Sequence, residues 1–321
     1  MLPHNDAPRL RGAVLVTGAS GFVGAAMCRE LLARGHNVRA LVRNTNAELP
    51  GGVKRIVADD FAGPFDTTGA LEGVEAVVHL AAIAHRAGGD EKEIRRVNVE
   101  SAAQLAEAAA GRVRRFVFLS SVKVHGEDSG ERAYAESDTP HPEDIYGRSK
   151  LEAERAIEAI AARGSMEYVA IRAPLVYGPG VKANFLRLMR WVDHGVPLPL
   201  AVVRNRRSLV YLGNLVDAIA LCVEHPEARG TFLVSDEECV STAELTARIA
   251  RTLGRSARLV AVPTALLKLA GALTGRSGEV QRLTVNLIVD ATRIQRLLGW
   301  QPRFSLDEGL AETAKWYRSS R

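Results

Sequence analysis

Short apolar runs alternate with helical patterns from Ala13 to Arg172, a glycine-rich turn joins the first run to the first helix, and the alternation lapses after Tyr177. Together these predict an α/β fold: a doubly wound parallel sheet with a smaller, mostly helical C-terminal lobe. The expected division is a flexible lead-in over 1–11, then a dinucleotide-binding domain over 12–177, completed by about 205–236. The segments 178–204 and 237–321 would form a substrate lobe.

The first run, Ala13-Val14-Leu15-Val16-Thr17, has no polar alternation, as befits a strand buried on both faces. Gly18-Ala19-Ser20-Gly21-Phe22-Val23-Gly24 follows at once and opens a helix reaching Arg34. Gly18 permits the tight turn, Gly21 lets backbone N–H groups approach a pyrophosphate, and Gly24 allows close helix–strand packing. A glycine triplet alone is weak. Set between a strand and a helix it marks a Rossmann-type dinucleotide site, with Gly18, Ser20, Gly21, Phe22, Val23 and Gly24 as its contacts. The second strand, Asn37–Val42, ends in Arg43, where a cofactor with a free ribose 2′-OH usually meets a carboxylate. An arginine suits a 2′-phosphate and favours NADP over NAD; the plainer alternative is that Arg43 faces water.

The third strand, Lys54–Ala58, runs into Asp59-Asp60-Phe61, with Asp60 against the adenine amine or capping a turn and Phe61 beside it. The fourth, Ala76–Ala82, finishes in Leu80-Ala81-Ala82, mostly small residues that let a cofactor lie close. His79 inside it reads as a core histidine. An alanine-rich helix from Glu91 to Ala110 carries Asn98. The fifth strand, Arg115–Leu119, ends at Ser120-Ser121, where the ligand crevice of such sheets opens. The polar segment Gly126–Pro142 reads as a surface loop at the mouth of that crevice. A sixth strand, Tyr168–Arg172, is broken by Ala173-Pro174. Helices are then expected at Asn184–Trp191, Ser241–Gly254 and Pro263–Leu273, while Leu209–Tyr211 and Gly230–Val234 return to the main sheet.

Between the fifth and sixth strands, Asp144-Ile145-Tyr146-Gly147-Arg148-Ser149-Lys150 opens a helix. Tyr146 and Lys150 leave one face of it, a turn apart. An ammonium beside a phenol favours the phenolate and brings a pKa near 10 toward working pH, as a proton-transfer group requires. Tyr-x-x-x-Lys also occurs on many solvated helix faces; the dinucleotide turn upstream is what makes it a site.

Composition narrows the classes. The 321 residues carry a net charge of +5, with arginine clusters at 112–115 and 204–207. Basic and aromatic residues are not interleaved and aromatics are only 5%, which argues against nucleic acid; anionic small ligands account for the arginines equally well. Cys28, Cys222 and Cys239 show neither disulfide nor zinc spacing, so no metal is expected and the compartment reads as reducing. No signal peptide is visible, and the apolar stretch Ala265–Leu273 is too short to span a bilayer. The reading is a cytoplasmic protein with no nucleic-acid or membrane partner.

Taken together, Gly18/Gly21/Gly24, Leu80-Ala81-Ala82, Asn98, Ser121, Tyr146/Lys150, Arg172…Val176-Tyr177-Gly178-Pro179 and Gly299-Trp300-Gln301-Pro302 resemble the extended short-chain dehydrogenase/reductase family. Within it they are similar to the nucleotide-sugar epimerases and reductases, over nearly the whole chain. The resemblance implies that Tyr146 exchanges a proton at the sugar 4-oxygen and that Ser121 bonds the same oxygen. Lys150 would hold the nicotinamide ribose and sharpen the tyrosine. The cofactor set becomes the glycine turn, Arg43, Asp60, Phe61, Leu80, Ala81, Ala82, Asn98, Tyr146 and Lys150. Asn184 and Arg207 fall where the family binds the nucleotide diphosphate, though Arg207 also reads as a solvated loop charge.

Departures from the pattern refine this. Val122-Lys123 follows Ser121 where dehydratases carry an acidic pair, which argues against 4,6-dehydration. Ser-Ser-x-Lys-Val resembles reductases of UDP-4-keto-6-deoxy-N-acetylhexosamines, placing Lys123 among the substrate contacts, and Leu175 replaces an epimerase asparagine. With no carboxylate at Val42, a UDP-sugar 4-ketoreductase of polysaccharide precursor synthesis is expected ahead of a UDP-hexose 4-epimerase with tightly bound NAD. A non-catalytic NADP-sensing regulator is the remote alternative. The family further implies a homodimer through the helices near Glu91–Ala110 and Tyr146–Arg163.

Overall fold

The computed structural model describes residues 12–58, 67–83 and 90–320. The lead-in and the Asp60/Phe61 contacts lie outside them. The N-terminal half runs β1 (Ala13–Thr17), α1 (Phe22–Ala33), β2 (Val38–Val42), β3 (Lys54–Val57), α2 (Thr67–Leu71), β4 (Val74–His79), α3 (Glu91–Arg95), α4 (Ser101–Ala109), β5 (Arg115–Ser121) and α5 (Ile145–Ala161). Then come β6 (Glu167–Ala173), β7 (Leu175–Tyr177), α6 (Ala183–Asp193), β8 (Leu209–Tyr211), α7 (Leu212–Glu224) and β9 (Gly230–Leu233). Five helices finish the chain: α8 (Thr242–Thr252), α9 (Thr264–Leu273), α10 (Ser277–Thr284), α11 (Thr292–Leu298) and α12 (Leu306–Ser319).

Seven strands form one sheet in the order β3-β2-β1-β4-β5-β6-β9, every pair parallel. The doubly wound expectation holds. Successive residues of β1 enter opposite layers: Val14 and Val16 pack with α1 and α7, Ala13 and Leu15 with α4 and α5. The chain reverses direction between β1 and β4, and the crevice of such sheets opens at that switch point. A third core, holding Tyr177, Phe185, Met189, Leu245 and Leu310, belongs to the C-terminal lobe. Trp300 of the Gly-Trp-Gln-Pro segment is buried, its indole N–H donating to Asp217 of α7 at 3.0 Å.

Three expectations differ from the structure. β9 joins the main sheet, but β8 does not; it pairs with β7 in a separate two-stranded sheet. Pro174 interrupts the chain after β6, and the free edge of β6 is taken by β9. The helix expected over 91–110 is broken by a π turn, Arg96–Glu100, centred on Asn98. Arginines 114 and 115 bind no ligand site: they sit where β5 begins, at the end of the sheet opposite the crevice. Buried Arg115 donates to Glu167 and to the carbonyls of Cys222, Val223 and His225, and Arg114 meets Glu75 and Glu167.

The turn after β1 is the tightest approach. Gly18 has φ +66°, and a Cβ on Gly24 would lie 2.0 Å from the Gly18 carbonyl oxygen. Gly24→Ala should therefore lower the unfolding free energy by roughly 1–3 kcal/mol through forced repacking. Gly164→Ala, where a Cβ meets nothing within 4 Å, should be neutral or slightly stabilising. Denaturant titration of the two variants measures the contrast.

Candidate active site

Three chain segments meet at the switch point. The glycine turn leaves β1, Leu80-Ala81-Ala82 leaves β4, and Ser120-Ser121 ends β5. Thr17 locks the first two together, its Oγ1 accepting from the Leu80 and Ala81 N–H groups at 3.2 Å and lying 3.0 Å from His79 Nδ1. A Cβ on Gly18 would lie 2.8 Å from the Ala81 nitrogen, so only glycine lets these loops touch. Helix α1 begins at Gly21 with no side-chain cap, which leaves its first N–H groups for an anion. Ser20 and Gly21 are exposed, Phe22 and Val23 half-buried. A pyrophosphate fits this cradle, so the residues present suit the expected dinucleotide. Arg43 is exposed and makes no ion pair among the described residues.

Asn98 is buried rather than open to the crevice. Its Oδ1 accepts from Ile83 N at 2.7 Å, and its Nδ2 donates to Ile83 O (3.1 Å) and Ser149 Oγ (3.0 Å). It ties the loop after β4 to α5, and the π turn supplies the bend that aims it there.

The N-terminus of α5 carries Tyr146 and Lys150, the pair expected from the sequence to be reactive. Asp144 caps it, accepting from Gly147 N at 2.6 Å, and a Cβ on Gly147 would lie 2.6 Å from Lys123 O. Helix α5 therefore presses directly on the 3₁₀ turn Val122–Val124 that follows β5. That turn is capped by Ser121, whose Oγ accepts from Lys123 N at 3.3 Å. Tyr146 is half-buried, and Lys150 is buried with its Nζ donating to Leu119 O at 2.8 Å. Nζ lies 4.5 Å from the Phe118 ring centroid and 5.9 Å from that of Tyr146.

Electrostatics depart from the expected pairing. Burial brings Lys150 down to about 7, against an opposing pull from Glu154, and pushes Tyr146 up to about 12 with the Asp144 carboxylate adding to it. Desolvation is the largest cause of both shifts, so the phenol stands above its ordinary value instead of below it. His79 is driven down to about 3 by burial and by Lys150, and is neutral, as a core histidine should be.

Of the residues expected to meet substrate, Lys123 and Arg207 are joined through Glu127 and Arg282, while Asn184 and Leu175 stand apart from that chain of contacts. Lys123 Nζ lies 2.6 Å from both Glu127 and Asp144, so its ammonium is held by carboxylates at the cap of α5. Arg207 Nη1 donates to Arg282 O at 2.6 Å, and Arg282 approaches Glu127 at 3.8 Å. Asn184 is exposed in the first turn of α6, beside Ala183, which is held at φ +52°. Leu175 is exposed on β7. The loop 126–142 is stitched to the lobe through Ser129 N to Asn286 O and Tyr134 N to Ile288 O. Thr17, Asp144 and Gly147 escaped the sequence reading of the site. Only Asp144, a capping residue just before an apolar-periodic run, leaves a readable signal. Among the described residues no cluster of His, Cys, Asp and Glu could hold a metal.

Comparison with known proteins bears out the resemblance drawn from the motifs. The profile of the NAD dependent epimerase/dehydratase family matches residues 14–234. A UDP-glucose 4-epimerase of Vibrio cholerae is 41% identical over 311 residues, 94% of each chain. A dihydroflavonol 4-reductase of Hordeum vulgare is 30% identical over 260 residues, 71% of this chain and 72% of its own. Among solved structures, MoeE5 in complex with UDP-glucuronic acid and NAD has a TM-score of 0.78 at 29% identity, covering 97% of this chain and 100% of that one.

Buried Lys150 makes stability depend on pH in a defined direction. It keeps its proton up to about 10.5 in the unfolded chain but only to about 7 in the fold. The unfolded chain thus holds more protons between those values, and stability rises with pH across them. Lys150→Met should flatten that rise, as read from denaturant midpoints between pH 7 and pH 10.

Proposed function

The chain belongs to the NAD dependent epimerase/dehydratase family of enzymes, and from that premise we propose that it is a UDP-sugar 4-epimerase working with NAD. The observation that carries this is that the start of α5, with Tyr146 and Lys150, packs on the end of β5 and the turn capped by Ser121, in a chain whose Vibrio cholerae relative is a 4-epimerase. This reverses the order expected from the motifs, which set a ketoreductase first. Reduction of a UDP-4-keto sugar is the second reading. It draws on the missing carboxylate after Val42, on the exposed Arg43 and on the likeness to a 4-reductase. That same arginine is what would favour NADP.

When bound, the dinucleotide supplies hydride transfer at the sugar C4; the proton belongs to the protein. Tyr146 takes the proton from the 4-hydroxyl as the sugar is oxidised and gives it back on reduction. Ser121, fixed by its turn, hydrogen-bonds the same oxygen and holds it toward Tyr146. Lys150 holds the nicotinamide ribose, and once hydroxyl groups solvate its ammonium it regains the charge that acidifies the phenol. Arg207 and Asn184 hold the diphosphate, arginine offering two parallel donors to phosphate oxygens.

Purified protein incubated with UDP-glucose and no added cofactor should form the 4-epimer. Turnover only with a UDP-4-keto sugar plus reduced cofactor would hand the assignment to the reductase. Tyr146→Phe should lower kcat by at least ~10²-fold while NAD affinity stays near that of the parent; unchanged turnover would remove the proton donor proposed here.

The cap pair should tune this base. Asp144→Asn keeps a capping side chain but removes the carboxylate that raises Tyr146, so the acid limb of the kcat/KM profile moves to lower pH. Lys123→Met leaves Asp144 with one cation fewer and moves it to higher pH. Matching shifts in one direction would contradict the coupling.

A further inference from the structure

Helix α9 lies on the lobe with its apolar side outward. Leu266, Leu269 and Leu273, at i, i+3 and i+7, are 55%, 56% and 80% exposed, and Val260 just upstream is 46% exposed. Its inner side is thin. Only Gly271 is buried, under Val280 of α10, and Leu267 is half-buried against the lobe core. A helix of ten residues is marginal by itself in water, and leucines clustered on an outer face mark a contact surface.

The surrounding charge has one sign. Residues 251–285 contain six lysines and arginines and a single acid, Glu279, an excess equal to the +5 of the whole chain. Glu279 is engaged by Arg187 at 3.5 Å, and Arg255 and Arg282 meet Asp193 and Glu127. Arg251, Arg258, Lys268 and Arg276 have no acidic partner among the described residues.

A second copy would set this charge against itself, and the few hundred Å² these side chains expose falls short of the ~800 Å² per partner of a stable interface. Nucleic acid would meet the arginines and leave the leucines in water. An anionic bilayer surface satisfies both, taking leucines at the acyl boundary and basic groups at the headgroups. Among the described residues no helix is long and apolar enough to cross a membrane, so α9 would lie in the interface plane. We propose that α9 docks the chain on an anionic phospholipid surface, against the sequence expectation of no membrane partner. The hairpin is tied to the rim of the active site: Arg207 donates to Arg282 O, and Asn205 and Thr242 donate to Leu283 O. Docking therefore brings that rim to the lipid.

Vesicle sedimentation with the full chain tests this. At about 50 mM NaCl it should pellet with phosphatidylcholine vesicles holding roughly 30% phosphatidylglycerol, release as salt rises, and ignore pure phosphatidylcholine. The double substitution Leu269→Gln and Leu273→Gln should weaken binding at least ~10-fold, with circular dichroism and turnover of a soluble UDP-sugar unchanged. Failure of the parent chain to pellet with anionic vesicles at low salt would overturn the proposal. So would undiminished pelleting of the leucine variant, or a concentration-dependent dimer that the leucine variant loses while vesicles bind neither protein.

Discussion

The site depends on two opposite charges buried one helical turn apart on α5. Lys150 and Glu154 are both almost fully withdrawn from water, and each needs a partner of defined position. Lys150 finds the carbonyl of half-buried Leu119, near the crevice end of β5. Glu154 finds Arg172 of β6, whose Nη2 lies 2.6 Å away and whose Nη1 reaches His125 at 2.9 Å. Sliding α5 by one residue would orphan both charges at a cost of several kcal/mol each. The helix therefore has one register, and Tyr146 is aimed by charges deeper in the core than itself.

The same economy explains what could be read in advance. Parallel strands buried on both faces leave continuous apolar runs, and a turn with no room for a Cβ leaves glycines, so β1, α1 and the cradle were legible residue by residue. Tyr146 and Lys150 were legible because helical spacing puts them on one face. Asn98 could be located but not interpreted: its work is to join two segments distant in sequence, and the π turn that aims it has no local signature. Arg115 misled for the complementary reason, since a buried arginine satisfied by three carbonyls looks in sequence like one waiting for phosphate. Pairing of β8 with β7 followed from competition for the edge of β6, a contest settled only in three dimensions.

Lys123 shows how one residue can carry two readings. Its place in the Ser-Ser-x-Lys-Val motif suggests a substrate contact, whereas its ammonium is clamped between Glu127 and Asp144. The clamp joins the cap of α5 to Glu127, and Glu127 in turn faces Arg282 near Arg207. A diphosphate drawn to those arginines would compete with Glu127 for them. The charge felt at the Asp144 cap, and through it by Tyr146, is thus linked to Arg282, whose carbonyl accepts from Arg207, by three ion-pair steps.

Burial sets the resting state against the working one. Burial keeps the phenol protonated at neutral pH and brings the lysine near the middle of its titration, where about half of it still carries its charge. Proton abstraction needs the reverse, a phenolate beside an ammonium. Desolvation is what opposes that state, and oxygen atoms offered to the buried Nζ would relieve it, since among the described residues the ammonium donates to one carbonyl, that of Leu119. The same burial that fixes the register of α5 thus holds the Tyr146 phenol against ionisation.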